Sequence, residues 1–303
     1  MKIIDYIFAA RPLLHLPVWS VYLVTLYYHH QLTNEPFTNI DLLLLIALTL
    51  VSSSAYYINQ IYDYDSDKLN NKLGFLQNQY ISFAEMKTLY YVTAILSIAV
   101  GFYVSKNSGF LLTTLVLLGG LYSVPPFRLK DRPFLGLLSN AIGYGFIVPM
   151  LVMPNLGMHN SGLFKWNILY YFMLTIGAIY LLTTIPDKEG DKKSGKKTVA
   201  VLLPSSLIKL LACMLLIDSA LIAYNSDYQM LFILSIISTS VTIVSLINKS
   251  EKLLFIAIKL PILLLTLLAG YFFYYYAVFI VALIIGTRLY YKKRFNMEYP
   301  KLT

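Results

Sequence analysis

The sequence predicts an all-α fold, a polytopic transmembrane bundle of nine to ten helices. Hydrophobic residues make up 58% of the chain and charged residues only 13%, whereas soluble domains carry about 25% charged residues. A chain this apolar places its surface in lipid, where backbone polar groups need partners within the protein, as in helices and closed barrels. Barrel strands alternate between apolar and polar residues, but the apolar runs here, such as 42–50 and 260–268, are continuous. Helices are therefore expected.

Eight stretches have the length of a membrane-spanning helix, which needs about 20 mostly apolar residues. They cover 12–30, 42–61, 88–105, 108–124, 134–153, 167–185, 206–224 and 228–247. The further stretch 253–290 would rise about 57 Å as a single helix, so we expect two helices broken near Gly270, or a long first half lying at the interface. No linker divides the sequence, and residues 1–303 are expected to form one membrane-embedded domain.

The basic residues predict the orientation of the helices, because Lys and Arg collect in cytoplasmic loops. Counted along the chain, all of them except Lys106 and Lys165 lie at the two termini or in the even-numbered loops. These parts are expected in the cytoplasm, and two cytoplasmic termini favour ten spans. The net charge of +9 is explained by this topology and suits attraction to anionic lipid. Membrane lipid is therefore the expected partner, and nucleic acid is not.

The first of two acidic clusters follows the second predicted helix and reads Asn59-Gln-Ile-Tyr-Asp63-Tyr-Asp65-Ser-Asp67. If the helix continues through it, Asn59, Asp63 and Asp67 lie one turn apart on one face, and Asn70 follows on nearly the same face. Carboxylates one turn apart repel each other, and a divalent cation would remove that repulsion. The plainer interpretation of this first cluster is a solvated helix end.

The second cluster, Asp187-Lys-Glu-Gly-Asp191, follows the sixth predicted helix on the same predicted side of the membrane. Asp187 and Asp191 repeat the one-turn spacing, while Gly190 leaves open whether the segment is a short helix or a loop. Taken alone, it could equally be a mixed-charge loop. As a pair, the clusters could hold two or more Mg²⁺ ions across a diphosphate, because their ligands are hard oxygen atoms, and Lys and Arg would bind the remaining oxygens.

These motifs resemble those of the UbiA superfamily of intramembrane prenyltransferases. The Asn-x₃-Asp-x₃-Asp-x₂-Asn pattern of the first cluster is similar to the family's first aspartate-rich motif, and the Asp-x₃-Asp of the second cluster to its second. The segment Tyr122-Ser-Val-Pro-Pro-Phe-Arg-Leu-Lys130 looks like the family's fourth-loop signature, and Arg11-Pro12 before the first span fits as well. The resemblance covers about residues 8–250. It implies a helical bundle around a central cavity that is open to lipid.

The resemblance also implies a donor, a cofactor and roles for individual residues. The donor would be a prenyl diphosphate, with geranylgeranyl diphosphate favoured, and an acceptor would capture its allylic carbocation. Two or more Mg²⁺ ions would be the cofactor. The metal ligands would be Asn59, Asp63, Asp67, Asp187 and Asp191, and Asp63 and Asp191 would be essential to catalysis. The diphosphate would be bound by Arg11, Asn59, Arg128 and Lys130. Tyr122 would face the reacting carbon with its ring.

The chain departs from the family pattern in two places. Many members carry an Arg-Pro pair after the first motif, whereas this chain reads Leu73-Gly-Phe-Leu76, with Lys72 as the nearest candidate replacement. The apolar run after residue 270 is also unusual in a family with typically nine spans. The Tyr122–Lys130 segment favours a lipidic or bulky acceptor, so we expect a lipophilic one.

Two other functions suit a membrane bundle with clustered carboxylates. A cation- or proton-coupled transporter would place them near the bilayer midplane, often at broken helices, whereas here they cluster at one interface beside Lys and Arg. A phosphatidyltransferase of the CDP-alcohol type would carry an Asp-Gly-x₂-Ala-Arg pattern, which the sequence lacks. Prenyl transfer is the favoured function, and the transporter is the main alternative.

Overall fold

The computed structural model describes residues 2–69, 74–153, 162–248 and 250–300, and every regular element in them is helical. The first half contains α1 (Lys2–Ala9), α2 (Leu16–Thr33), α3 (Asn39–Tyr62), α4 (Tyr64–Leu69), α5 (Phe83–Val104), α6 (Lys106–Ser123), α7 (Leu135–Asn140) and α8 (Val148–Met150). The second half contains α9 (Gly162–Lys193), α10 (Val199–Leu202), α11 (Ser205–Asn225), α12 (Gln229–Ile247), α13 (Glu251–Phe272) and α14 (Tyr274–Phe295). The all-α prediction is confirmed.

The number of long helices also agrees with the sequence. Eight helical segments of the described residues are long and apolar enough to cross a membrane, and α6 and the shorter helix Leu135–Met150 bring the number of long helices to ten. The stretch 253–290 is two helices, α13 and α14, which meet at Phe273, three residues after the predicted break at Gly270.

Helix α2 occupies the centre of the bundle, and α14 lies at its edge. Every residue from Val18 to Leu26 is buried, as expected for a helix that is apolar on all sides. In α14 only Tyr276 and Thr287 are buried. Several helix starts follow local capping rules: Ser82 and Glu85 form a capping box at the start of α5, which satisfies free backbone N–H groups there.

Both described ends of the chain lie at the same side of the bundle. Arg294, at the end of α14, forms an ion pair with Asp5 of α1 at 2.9 Å. Lys2 pairs with Glu85, at the start of α5, at 2.7 Å. The N-terminal segment, the loop before α5 and the end of α14 therefore share one face, as an even number of spans requires.

Two predicted helices differ from what the sequence suggested. The predicted span 134–153 is interrupted by a π-helical stretch, Ala141–Ile147, between α7 and α8. Gly145 explains the close packing there, because a Cβ at this position would lie 2.5 Å from the Cα of Met173 in α9. Helix α9 itself continues through Pro186 to Lys193, so the second acidic cluster lies on its last turns and is helical rather than a loop.

Candidate active site

The first acidic cluster lies where α3 gives way to α4. Asp63 interrupts the helix, with φ −97° and ψ 2°, so the helix does not continue unbroken through the cluster. The backbone spacing nevertheless persists, because Asp63 N–H donates to the carbonyl of Asn59 at 2.9 Å and Asp67 N–H to that of Asp63 at 2.8 Å. Asn59, Asp63 and Asp67 therefore still follow one another at one-turn intervals.

A basic segment lies directly against this cluster. Arg128 adopts a left-handed conformation with φ 39°, and the 3₁₀ turn Leu129–Asp131 follows. This turn brings the ammonium of Lys130 onto Oδ1 of Asp63, while the guanidinium of Arg128 lies 3.6 Å from the same oxygen. The Lys130 side chain is only 10% exposed. Burial lowers the pKa of Lys130, and the Asp63 carboxylate offsets part of that effect.

The second acidic cluster connects to the same basic segment. Lys196 Nζ lies 3.2 Å from Oδ1 of Asp191 and 3.9 Å from Oδ1 of Asp131. The hydroxyl of Thr198 donates to Oδ2 of Asp191 at 3.1 Å, and Arg128 Nε lies 2.6 Å from Asp131. A chain of ion pairs therefore joins the two clusters. It runs from Asp63 through Arg128, Asp131 and Lys196 to Asp191, and Lys130 is a second partner of Asp63.

The carboxylates of the two clusters differ in their surroundings. Asp63 and Asp191 have side chains only 16% and 15% exposed, and each has a lysine partner. Asp187 is exposed on α9, one turn before Asp191. No three carboxylate, His or Cys side chains of the described residues are close enough together to hold one metal ion by themselves. Each cluster offers two carboxylates one turn apart, which fits Mg²⁺, because this ion uses one or two carboxylates together with substrate phosphates and water.

Two cavities meet at Tyr122, near the end of α6. A polar cavity of 210 Å³ is lined by Tyr122, Lys130, Asp187 and Asp191. A mainly apolar cavity of 140 Å³ continues from Tyr122 and Asn59 into the bundle, between α3, α6 and the π-helical stretch. Its deeper wall consists of Leu48, Val51, Leu115, Leu118 and Val148. The polar and apolar cavities are therefore adjacent, and Tyr122 lines both of them.

Arg11 lies apart from the ion-pair chain, in the turn between α1 and the short 3₁₀ helix Pro12–His15. It has a left-handed conformation with φ 54° and forms no ion pair with the described residues. The turn is bound to the cavity wall, because the hydroxyl of Tyr56 donates to the carbonyl of Leu14 at 3.1 Å, and Tyr56 lines the apolar cavity together with Asn59. The structure thus brings Asp63, Arg128 and Lys130 together, and it places Arg11 near the cavity but in no direct contact with them.

Sequence reasoning missed three residues that join the predicted ones. Asp131 and Lys196 link the two clusters, and Thr198 holds the Asp191 carboxylate. Asp131 directly follows Lys130 and could have been suspected from that position, whereas no local signal marks Thr198. Asn70, which the sequence suggested as an extension of the first cluster, lies outside the described residues, and so does Lys72, the candidate replacement for the missing Arg-Pro pair.

Comparison with known families resolves what kind of protein carries this arrangement. A profile described as the UbiA prenyltransferase family matches residues 18–253. The chain belongs to the UbiA prenyltransferase family. Together with its apolar helices, this membership makes it an integral, multi-pass membrane protein, as the composition predicted.

Individual UbiA relatives are similar over part of their length. The chain is 26% identical to homogentisate phytyltransferase from Synechocystis over 61% of this chain and 62% of that one. It is 31% identical to 2-acyl-4-prenylphloroglucinol 6-prenyltransferase from Humulus lupulus, over 50% of this chain and 39% of the relative. It is 28% identical to digeranylgeranylglyceryl phosphate synthase from Sulfolobus acidocaldarius, over 70% and 76%. The chain thus spans less than two thirds of the first two enzymes.

Solved UbiA structures share the fold of this chain. A UbiA homologue from Archaeoglobus fulgidus, bound to GPP and Mg²⁺, superposes with a TM-score of 0.69 at 18% identity, over 88% of this chain and 99% of that one. A homologue from Aeropyrum pernix without ligand gives a TM-score of 0.64 at 16% identity, over 84% and 96%. These identities are low, so the likeness concerns the helical bundle.

Proposed function

We propose that the chain transfers a prenyl group from an isoprenyl diphosphate to a lipophilic acceptor within the membrane, in a Mg²⁺-dependent reaction that releases diphosphate. One observation carries the proposal: a chain of ion pairs joins the two acidic clusters at the mouth of an apolar cavity. A prenyl diphosphate has the same division, with a charged head and a hydrocarbon tail. Membership of the UbiA family supports the same reaction.

The charged end of the site would bind the diphosphate. Asn59, Asp63 and Asp67 would hold one Mg²⁺ ion, and Asp187 and Asp191 another, through oxygen ligands of the kind this ion prefers. When bound, Mg²⁺ neutralises charge on a phosphate leaving group. The cations Arg11, Arg128 and Lys130 would bind the remaining phosphate oxygens. Lys130 and Lys196 pair with the largely buried carboxylates of Asp63 and Asp191, and these two cations can turn towards the phosphate groups of a donor.

The apolar end would hold the prenyl tail and exclude water from the reacting carbon. The bond from the allylic carbon to oxygen breaks, and its electron pair leaves with the diphosphate. The acceptor then supplies the electron pair for the new bond and releases a proton. The ring of Tyr122 lies between the two cavities, where its face can stabilise the positive charge on the allylic carbon.

The cavity and the relatives favour a long donor. Leu48 and Asn59 both line the apolar cavity and lie about 16 Å apart along the α3 axis. Each isoprene unit is about 5 Å long when extended, so about three fit along this wall. The similarity to digeranylgeranylglyceryl phosphate synthase favours geranylgeranyl diphosphate, whose fourth unit would extend beyond Leu48. The basic face that carries the site would lie in the cytoplasm.

The test is diphosphate release by purified protein supplied with geranylgeranyl diphosphate, Mg²⁺ and a panel of lipophilic acceptors. We expect release that requires Mg²⁺ and rises with one acceptor, and mass spectrometry should find that acceptor heavier by one prenyl group. The absence of release with every donor length, together with cation flux in liposomes, would favour the transporter instead.

A further inference from the structure

The end of α14 packs against the segment that carries Arg11, although α14 lies wholly beyond the residues matched by the family profile. We call Tyr290, Tyr291, Arg294 and Tyr299 the C-terminal brace. Within it, Tyr290 donates its hydroxyl proton to Oδ1 of Asp5, and Arg294 Nη2 donates to Oδ2 at 2.9 Å. The Asp5 side chain is only 2% exposed. Both oxygens of a buried carboxylate in α1 are therefore bound by α14.

The brace also holds the chain that follows the first acidic cluster. The guanidinium of Arg294 lies 3.5 Å from the ring centroid of Tyr80, a distance that favours cation–π attraction. Phe75 packs edge-on against Phe295, the last residue of α14, with ring centroids 5.3 Å apart. One arginine thus contacts α1 on one side and the turn before α5 on the other.

Helix α3 holds the same N-terminal segment from the opposite direction. The amide of Gln60 donates to the carbonyl of Ala9 at 2.8 Å, and the hydroxyl of Tyr57 donates to that of Tyr6 at 2.8 Å. These bonds anchor the backbone just before Arg11 to α3, the helix that carries Asn59. Arg11 is therefore attached between the first acidic cluster and the brace.

The brace reaches the turn that carries Arg11 through Phe8. The ring of Phe8 stacks on that of Tyr290 with ring centroids 4.0 Å apart, and its carbonyl accepts a hydrogen bond from the Arg11 N–H at 3.0 Å. Tyr291 packs edge-on against Phe8 at 6.1 Å, and Tyr299 packs against Tyr291 with ring centroids 4.8 Å apart. Because no described carboxylate pairs with Arg11, its position depends on this aromatic packing and on its left-handed backbone.

We propose that the C-terminal brace positions Arg11 for the donor's diphosphate, with Asp5, Arg294 and Tyr299 as positioning residues. This inference rests on the proposed function, in which Arg11 binds phosphate. Loosening the brace lets Arg11 move away from the cavity mouth while the acidic clusters and Tyr122 stay in place. Donor binding then weakens, and turnover at saturating donor is retained.

The test measures donor binding and turnover separately in four variants of the full chain. The binding probe is the thiolo analogue of geranyl diphosphate, which is slow to ionise, titrated calorimetrically with Mg²⁺. We expect Arg294→Ala to raise the analogue Kd and the donor KM roughly tenfold, as displacement of a binding group does, with kcat within about twofold of the parent. Arg294→Lys should recover part of the loss, because it keeps the charge beside Asp5. Arg288→Ala, on an exposed part of α14, should change neither.

Tyr299→Ala is a second way to loosen the brace, since it removes the ring that packs against Tyr291 and leaves the Asp5 bonds intact. It should raise the analogue Kd in the same direction even if Arg294→Ala folds poorly. An unchanged Kd in a folded Arg294→Ala or Tyr299→Ala protein, with only its melting temperature lowered, would overturn the brace and leave the proposed function standing. Failure of the parent protein to bind the analogue would overturn both.

Discussion

At the scale of single residues, Lys130 has the most demanding position in the site. Its side chain is nearly buried, and its ammonium group forms an ion pair with the carboxylate of Asp63. A buried cation is stable only with a partner, so Asp63 and Lys130 hold each other in place. Arg128 is a weaker partner at 3.6 Å and bonds mainly to Asp131. Lys130 is therefore the cation best placed to exchange a carboxylate for a phosphate oxygen.

Lys130→Ala should raise the donor KM roughly tenfold or more, because a hydrogen bond to a charged group contributes about 1.5–3 kcal/mol. Steady-state kinetics with varied donor measures this, and Lys130→Arg should retain part of the affinity. Lys87→Ala, which removes an exposed lysine at the same face of the bundle, is the matched control. A donor KM that stays at the parent value in Lys130→Ala would remove this residue from the diphosphate site.

At the scale of elements, the packing of the π-helical stretch against α9 fixes the wall of the apolar cavity. Gly145 permits this contact, since a Cβ would come within 2.5 Å of Met173 Cα and 2.7 Å of Phe172 O. These are backbone atoms, which cannot move aside as a side chain can. The irregular helix is therefore a consequence of close approach between two elements.

Gly145→Ala should destabilise the protein by about 1–3 kcal/mol, the usual effect of overpacking. Thermal unfolding in detergent should show a lower melting temperature. Gly190→Ala is the comparison, because nothing lies within 4 Å of its Cβ position and alanine favours the helix there. Equal melting temperatures for Gly145→Ala and the parent would mean that the two elements are not closely packed.

The depth of the apolar cavity leads to a prediction about donor length. Val51 lines the cavity about 12 Å along α3 from Asn59. Val51→Phe therefore narrows the part of the cavity that lies deeper than about two isoprene units of the tail. We expect kcat/KM to fall for geranylgeranyl diphosphate and to change little for dimethylallyl diphosphate. Leu117→Phe, at a 61% exposed position of α6, should leave both values unchanged. An equal loss with both donors would place the prenyl tail elsewhere.

At the scale of the whole molecule, the ion pairs Asp5–Arg294 and Lys2–Glu85 bring both described ends of the chain to one face. The acidic clusters and the basic segment lie at the same predicted side of the membrane. The orientation of this face in the cell is a prediction from the Lys and Arg distribution, and it can be tested because the chain has a single cysteine, Cys213.

In a Cys213→Ala background, Lys193→Cys and Asp227→Cys place one thiol at each side of the bundle, at the end of α9 and after α11. An impermeant maleimide should label position 193 only in inverted vesicles and position 227 only in right-side-out vesicles. The reversed pattern would mean that the active-site face is not cytoplasmic.

Much of this architecture could be predicted because the bilayer imposes simple rules on composition. Apolar length identified the spans, and the break in 253–290 followed from its excess length. The interruption at Asp63 and the continuation of α9 through Pro186 could not be predicted, because tertiary packing overrode local propensity. Acidic spacing identified Asp63 and Asp191, but the link through Asp131 and Lys196 depends on how two loops meet, which sequence spacing does not encode.

The most direct test of the central claim, that both acidic clusters bind one donor, is Mg²⁺-dependent diphosphate release by Asp63→Ala and Asp191→Ala. Both variants should lose turnover while remaining folded in detergent. Each removes a carboxylate that would hold Mg²⁺ on one side of the donor's diphosphate. Asp65→Ala, which removes an exposed carboxylate of the first cluster, should retain it. Turnover near the parent level in either Asp63→Ala or Asp191→Ala would contradict the account.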